Sequence, residues 1–260
     1  MFGQNPIRKP EKGDGSRLKI QEIFPTLQGE GPHTGVASVF VRLGGCNLAC
    51  DFCDTEFESF SEMSVDEILH EVVCFAEGDA DDVLPIENEG GQQADSALSI
   101  GEANSPCENQ QIFAGQPNNR KRQLVVITGG EPLRQNIIPL CEGLIEEGFL
   151  VQIETNGTLW RGDLPAAVEV ICSPKAGLNG YGALRGDIIP YLRALKYIIS
   201  KTREPYTHVP SIPQTVETWL QPMDEGDATK NQQNLEYVTA LAEQHGYKVS
   251  IQTHKVFSLD

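Results

Sequence analysis

The chain has 260 residues, enough for one large domain or two small ones, and its 39% hydrophobic content is ordinary for a globular protein with a sizeable core. Its formal net charge of -17 argues against nucleic acid as a partner, because so acidic a surface repels phosphate backbones, although a local basic pocket for a small anion can coexist with it. No run approaches the roughly 18 apolar residues of a membrane span, and the polar opening MFGQNPIRKPEKGDGSRLKI lacks an apolar h-region, so a soluble, cytoplasmic protein is expected with no membrane partner.

Residues 1–17 read as a flexible tail, with Pro6, Pro10, Gly13, Gly15 and mixed charges. Order is expected from Leu18, where LKIQEIF alternates like a strand, followed by a Gly-rich turn at 29–35 and a buried strand at 36–43 that runs into Gly44, Gly45 and Cys46. Ser64 and Glu67 form a capping box for a helix over 65–77, with Val65, Ile68, Leu69, Val72 and Val73 on one face. From about 77 to 122 the chain reads as an acidic low-complexity insertion, with Cys107 inside it and Cys74 just before it as incidental thiols. Strands then follow at 123–128, 149–154, 168–173, 194–200, 218–223 and 247–254, with helices at 132–147 and 229–245. Strands alternating with helices or long loops predict an α/β fold with a mostly parallel sheet in one domain, 18–260, interrupted by the insertion. No GxGxxG follows a strand, which disfavours a dinucleotide site.

Polar residues cluster after successive strands: Cys46, Thr128–Glu131, Glu154–Asn156, Ser173–Lys175, Gln221–Asp224 and Gln252–His254. Ligands of α/β barrels and open sheets lie at these carboxyl ends, so one shared site is expected. Within it, GGCNLACDFCDT (44–55) carries the spacing CxxxCxxC at Cys46, Cys50 and Cys53. Of the seven cysteines none lies at a suitable spacing to be a fourth ligand. Three soft thiolates on a four-iron cluster leave one iron open, as a reactive centre requires; a zinc site completed by a distant Cys or His is the alternative. ITGGEP (127–132) offers glycines for close backbone approach and Glu131 for an ammonium, or is only a turn before a helix. Arg42 suits a carboxylated substrate, with a structural salt bridge as the alternative. Asp54 and Thr55 suit a hard cation such as Mg²⁺, or form a cap or turn.

These residues resemble the radical S-adenosylmethionine superfamily. EIFPTLQGEG (22–31), FVRLGGCN (40–47), CDT (53–55), ETNGT (154–158), SPK (173–175), LKYIIS (195–200), QPMD (221–224) and QTHK (252–255) are further similar to the 7-carboxy-7-deazaguanine synthase family. The resemblance covers 18–260 apart from the insertion. It implies a partial (β/α) barrel, a homodimer, a [4Fe-4S] cluster, S-adenosylmethionine and Mg²⁺. It implies a carbon–nitrogen lyase that contracts 6-carboxy-5,6,7,8-tetrahydropterin to 7-carboxy-7-deazaguanine on the route to queuosine, with electrons from a donor such as flavodoxin or ferredoxin. By position it implies S-adenosylmethionine contacts at Phe52, Cys53, Asp54, Gly130, Glu131, Ser173, Pro174, Lys175, Gln221, Pro222, Met223 and Asp224. Substrate contacts fall at Leu27, Gln28, Gly29, Arg42, Thr128 and His254, and the Mg²⁺ ligand at Thr55. Family chains often end in Pro after QTHK; here the end is VFSLD, which puts Asp260 in that place.

Overall fold

The structure, a computed structural model, describes residues 5–53, 55, 58–78, 120–178, 180–211, 215–253 and 255. The expected insertion therefore lies outside the described residues from 79 to 119, as do Asp54, His254 and Asp260 among the expected site residues. The elements in chain order are β1 (Arg17–Leu27), β2 (Ala37–Leu43), β3 (Ser61–Ser64), α1 (Val65–Glu77), β4 (Leu124–Gly129) and α2 (Ile138–Glu146). They continue with β5 (Leu150–Thr155), β6 (Glu169–Cys172), β7 (Leu192–Ile199), β8 (Glu217–Pro222), α3 (Ala228–His245) and β9 (Lys248–Val249).

The nine strands among the described residues join one sheet in the order β3-β1-β2-β4-β5-β6-β7-β8-β9. β1 runs antiparallel to β2 and β3, and every pairing from β2 onward is parallel. From β4 on, spatial order equals chain order. Crossovers that always step the same way wind a sheet into a barrel, whereas a doubly wound sheet reverses at a switch point. With β3 and β9 as edges the winding is a partial barrel.

Strand parity decides which residues face the site. In β2, Val39, Val41 and Leu43 are fully buried against α1 and α2, whose Ile68, Val72, Leu140 and Leu144 complete the core. Each such side chain contributes about 1.5–3 kcal/mol. Phe40 and Arg42 have the opposite parity and face the concave side. The same alternation puts Gln152 and Glu154 of β5 and Lys196 of β7 there, while Leu195, Tyr197 and Ile199 pack with Leu220 and with Val238 of α3.

Part of the stretch expected to be a tail bonds to the body: Ile7 bridges to Cys46, and Arg8 N donates to Cys46 O at 2.7 Å. Three local expectations are corrected. The single helix over 132–147 is instead a 3-10 turn, Pro132–Arg134, and then α2; Pro139 lacks a donor and so occupies the first turn of a new helix. The last strand stops at Val249: after the ladder bond from Ser250 N to Leu220 O the chain leaves the sheet, and Thr253 N donates to Gly29 O instead. Cys74 is disulfide-bonded and not an incidental thiol.

The capping box of α1 is formed: Ser64 Oγ accepts from Glu67 N while the Glu67 carboxylate accepts from Ser64 N. Ser64→Ala is expected to lower stability by about 1 kcal/mol, read from urea denaturation, with cluster content unaltered. Unchanged stability would mean that packing alone fixes the start of α1.

Candidate active site at the mouth of the partial barrel

The loop carrying Cys46, Cys50 and Cys53 leaves β2 and sits directly on the turn after β4. Gly130 N donates to Leu43 O at 3.0 Å, and Glu131 N to Gly45 O at 3.1 Å. A Cβ at Gly130 would lie 1.9 Å from Gly45 O, and one at Gly129, where φ is +116°, would lie 2.3 Å from Leu43 O. The paired glycines of GGEP are therefore required by contact between two backbones, one of them the cysteine loop. The Glu131 carboxylate is fully buried and accepts from Leu133 N (3.0 Å), Thr155 Oγ1 (2.7 Å) and Asn156 N (2.8 Å). Burial pushes its pKa up while these donors pull it back. It locks the GGEP turn to the end of β5 through three protein donors, two on Oε1 and one on Oε2.

The Cys46 thiol is pushed up to about 11, by burial first and then by the charges of Glu131, Cys50 and Cys53, against a hydrogen bond from Leu48 N, so the three sulfurs share one electrostatic locus. Burial likewise raises Cys50, while Lys175 opposes it. A bound metal has to displace these protons. Among the described residues no three His, Cys, Asp or Glu side chains are gathered as a single metal ion requires. A four-iron cluster offers a separate iron to each thiolate and accepts a wider triangle.

Opposite the loop lies a buried polar floor. Lys196 is 4% exposed and bonds to Glu30 and to Glu154 Oε2 at 3.3 Å. Gln28 Nε2 (3.1 Å) and Gln152 Nε2 (3.2 Å) donate to Glu154 Oε1. Gln221 Nε2 (3.2 Å) and Gln252 Nε2 (2.8 Å) donate to Glu30 Oε1. Burial acts to lower the pKa of Lys196, but Glu154 and Glu30 outweigh it and hold the ammonium charged. Lys175 Nζ donates to Ser173 O (3.0 Å) and Oγ (2.7 Å), and its pKa falls through burial and through the charge of Lys196. Gln221 Oε1 is buried without a partner among the described residues, an acceptor left for a ligand donor.

One cavity of about 940 Å³ joins loop and floor. It is lined by Leu27, Gln28, Gly29, Arg42, Cys46, Cys50, Phe52, Cys53, Thr55, Thr128 and Gly130, and by Ser173, Lys175, Gln221, Pro222, Met223 and Asp224. Pro174 is buried between Ser173 and Lys175 and is not part of the lining. Arg42 lines the cavity, but its Nη1 also bonds Glu22 Oε1 at 2.7 Å and its guanidinium lies over Phe24. Glu30, Lys196 and Arg203 were not singled out from sequence, although Glu30 lies in LQGEG and Lys196 in LKYIIS. A lysine inside an otherwise apolar strand was the available signal. Arg203, on the loop after β7, bonds the Asp51 carboxylate, and Phe52 meets Tyr206 edge-on at 5.1 Å, so that loop supports the cysteine loop from the far side.

The residues present fit an iron–sulfur cluster and a polar ligand beside it: three soft sulfur donors, an orphaned amide acceptor and a cation at Lys175 share the cavity. Partial barrel, three-cysteine loop and GGEP turn define a radical S-adenosylmethionine enzyme. No family model matches the chain. It is 41% identical to the 7-carboxy-7-deazaguanine synthase of Rickettsia prowazekii over all of this chain and 96% of that protein, and 35% identical to that of Rhodospirillum rubrum over the whole of both. The crystal structure of QueE from Escherichia coli shares the fold, with a TM-score of 0.62 at 21% identity over 93% of this chain and 99% of that one. The chain belongs to the 7-carboxy-7-deazaguanine synthase family. No helix among the described residues is long and apolar enough to cross a membrane.

Lys196→Met leaves Glu30 and Glu154 buried without their cation and is expected to cost about 3–5 kcal/mol in urea denaturation; adding Glu30→Gln should recover part of it. Equal stability of single variant and parent would show that the floor is not a coupled network. Asp224 is held at about 2 by Lys255 first, then Gly226 N and Asn231. A depressed carboxylate stabilises above its unfolded pKa and loses that contribution as pH falls from about 4 through about 2. Asp224→Asn should therefore flatten the stability profile over that window, by no more than about 1 kcal/mol given its partial exposure.

Proposed function

We propose that the chain converts 6-carboxy-5,6,7,8-tetrahydropterin to 7-carboxy-7-deazaguanine with loss of ammonia, a radical ring contraction in queuosine-type deazapurine biosynthesis. Family membership supports it, and the carrying observation is the single cavity that joins the three-cysteine loop to the floor of Gln28, Glu30, Glu154 and Lys196. Cys46, Cys50 and Cys53 would hold a four-iron cluster, which with S-adenosylmethionine would supply the one-electron chemistry needed to take a hydrogen atom from the substrate.

The protein's part is positioning and exclusion of water. Phe52, Cys53, Asp54, Gly130, Ser173–Lys175 and Gln221–Asp224 hold S-adenosylmethionine. Lys175 meets its carboxylate, and Gln221 Oε1 accepts from a polar donor. Leu27, Gln28, Gly29, Thr128 and His254 hold the pterin. Paired donors and acceptors on the floor read its heterocyclic edge, because an analogue that leaves a buried group unpaired is rejected. Arg42 takes the substrate carboxylate by exchanging its Glu22 partner. Thr55 contributes an oxygen to Mg²⁺, which fixes the pose of that carboxylate.

Anaerobic protein, reduced and given S-adenosylmethionine, Mg²⁺ and carboxytetrahydropterin, is expected to form the deazaguanine product. S-adenosylmethionine cleavage with no such product would overturn the substrate assignment. Arg42→Ala is expected to raise KM about tenfold or more, with iron and sulfide content retained. An unchanged KM would leave Arg42 as the structural partner of Glu22 alone.

A further inference from the structure

We propose that the basic segment lying along the cysteine loop is the docking surface for the protein that delivers the electron, and that this partner is a small acidic redox protein. The proposal rests on the cluster-dependent reading of the site. Residues 5–19 carry five cations (Arg8, Lys9, Lys12, Arg17, Lys19) against two acids, in a chain of net charge -17. The segment is fixed to the first cysteine of the loop. Ile7 pairs with Cys46 in a parallel bridge, and Arg8 N donates to Cys46 O at 2.7 Å. Arg134, 2% exposed, ties the two backbones together by donating to Lys9 O (2.8 Å) and to Gly44 O (3.2 Å).

While the backbone faces the loop, three side chains face solvent. Ile7 is 69% exposed, and Lys9 and Lys12 are exposed. Arg8 and Lys19 are engaged with Glu58 and Glu11, but Lys9 and Lys12 enter no ion pair among the described residues. An apolar contact point with unpaired cations around it has the anatomy of a small transient interface. The other flank of the loop presents Asp51, whose side chain is 73% exposed. An acidic partner is repelled by the bulk of this surface and turned towards the cationic segment, so the global field orients the encounter. One electron passes in each encounter: the donor is oxidised by one electron, the cluster is reduced by one, and no atom or proton moves. The Arg8 N–H···O=C Cys46 bond gives a short bonded route from the docked face to a cluster ligand.

The test uses the reconstituted holoenzyme, a purified acidic flavodoxin as probe, and the variant K9E/K12E. Calorimetric titration should give a Kd for flavodoxin about tenfold or more weaker in the variant, and parent binding should weaken steeply with added salt. S-adenosylmethionine cleavage driven by dithionite should be the same for both proteins, while cleavage driven by reduced flavodoxin should fall in the variant. An unchanged Kd together with salt-independent parent binding would overturn the proposal. Neither binding nor S-adenosylmethionine cleavage involves the pterin, so failure of the substrate assignment leaves this result readable. If the variant misfolds, the salt series on the parent decides alone.

Discussion

The contact on which the site depends is between two stretches of backbone: the GGEP turn after β4 and the Gly-Gly entry to the cysteine loop after β2. Parallel pairing of β2 with β4 brings Leu43 alongside Gly129 and ends both strands at one level. The hydrogen bonds from Gly130 N and Glu131 N then fix the loop's first turn. No side chain fits between these backbones, so the cluster-bearing loop sits as close to the sheet as a chain can. Arg134 and the N-terminal segment hold it from one side, and Arg203 and Tyr206 from the other. A loop that is to present three sulfurs in a set arrangement needs this support, since a reactive radical tolerates little misplacement.

The second constraint is parity. Each parallel strand buries one row of aliphatic side chains under the helices and turns the other row towards the cavity. The concave row therefore holds groups that would be expensive in an apolar core: Glu154, Lys196, Gln152 and Gln221. Glu154 and Glu30 face the Lys196 ammonium and keep it ionised although it is buried, while Gln152 Oε1 and Gln221 Oε1 find no partner among the described residues. The arrangement suits a planar, polar substrate beside a cofactor, because the recognition groups are positioned before the ligand arrives.

Much of this was legible in the sequence because it rests on local rules. The spacing of Cys46, Cys50 and Cys53, the Ser64–Glu67 box and the strand-then-glycine pattern at Thr128–Gly130 each belong to a short window. Fold class followed from strands alternating with helices or long loops. What stayed hidden depends on contacts between distant segments. Residues 5–16 have the composition of a tail, yet they bond to Cys46 and Arg134, which no local pattern reveals. Pro139 does not mark a break in the sequence pattern, because a proline in a first turn and a proline that breaks a helix look alike until the register is known. Glu131 has the chemistry to bind an ammonium, and its three protein donors show that it also ties the GGEP turn to β5. Lys196 reads as an interruption in a strand until Glu30 and Glu154 are seen beside it.

The central claim is that three cysteines hold a four-iron cluster whose remaining iron is open to S-adenosylmethionine. The most direct measurement is the electron paramagnetic resonance spectrum of the anaerobically reconstituted, reduced protein, recorded with and without S-adenosylmethionine. The expected result is the signal of one reduced four-iron cluster, perturbed when S-adenosylmethionine is added and absent in Cys50→Ala. A cluster signal indifferent to S-adenosylmethionine, or a protein that holds zinc and no sulfide, would contradict it.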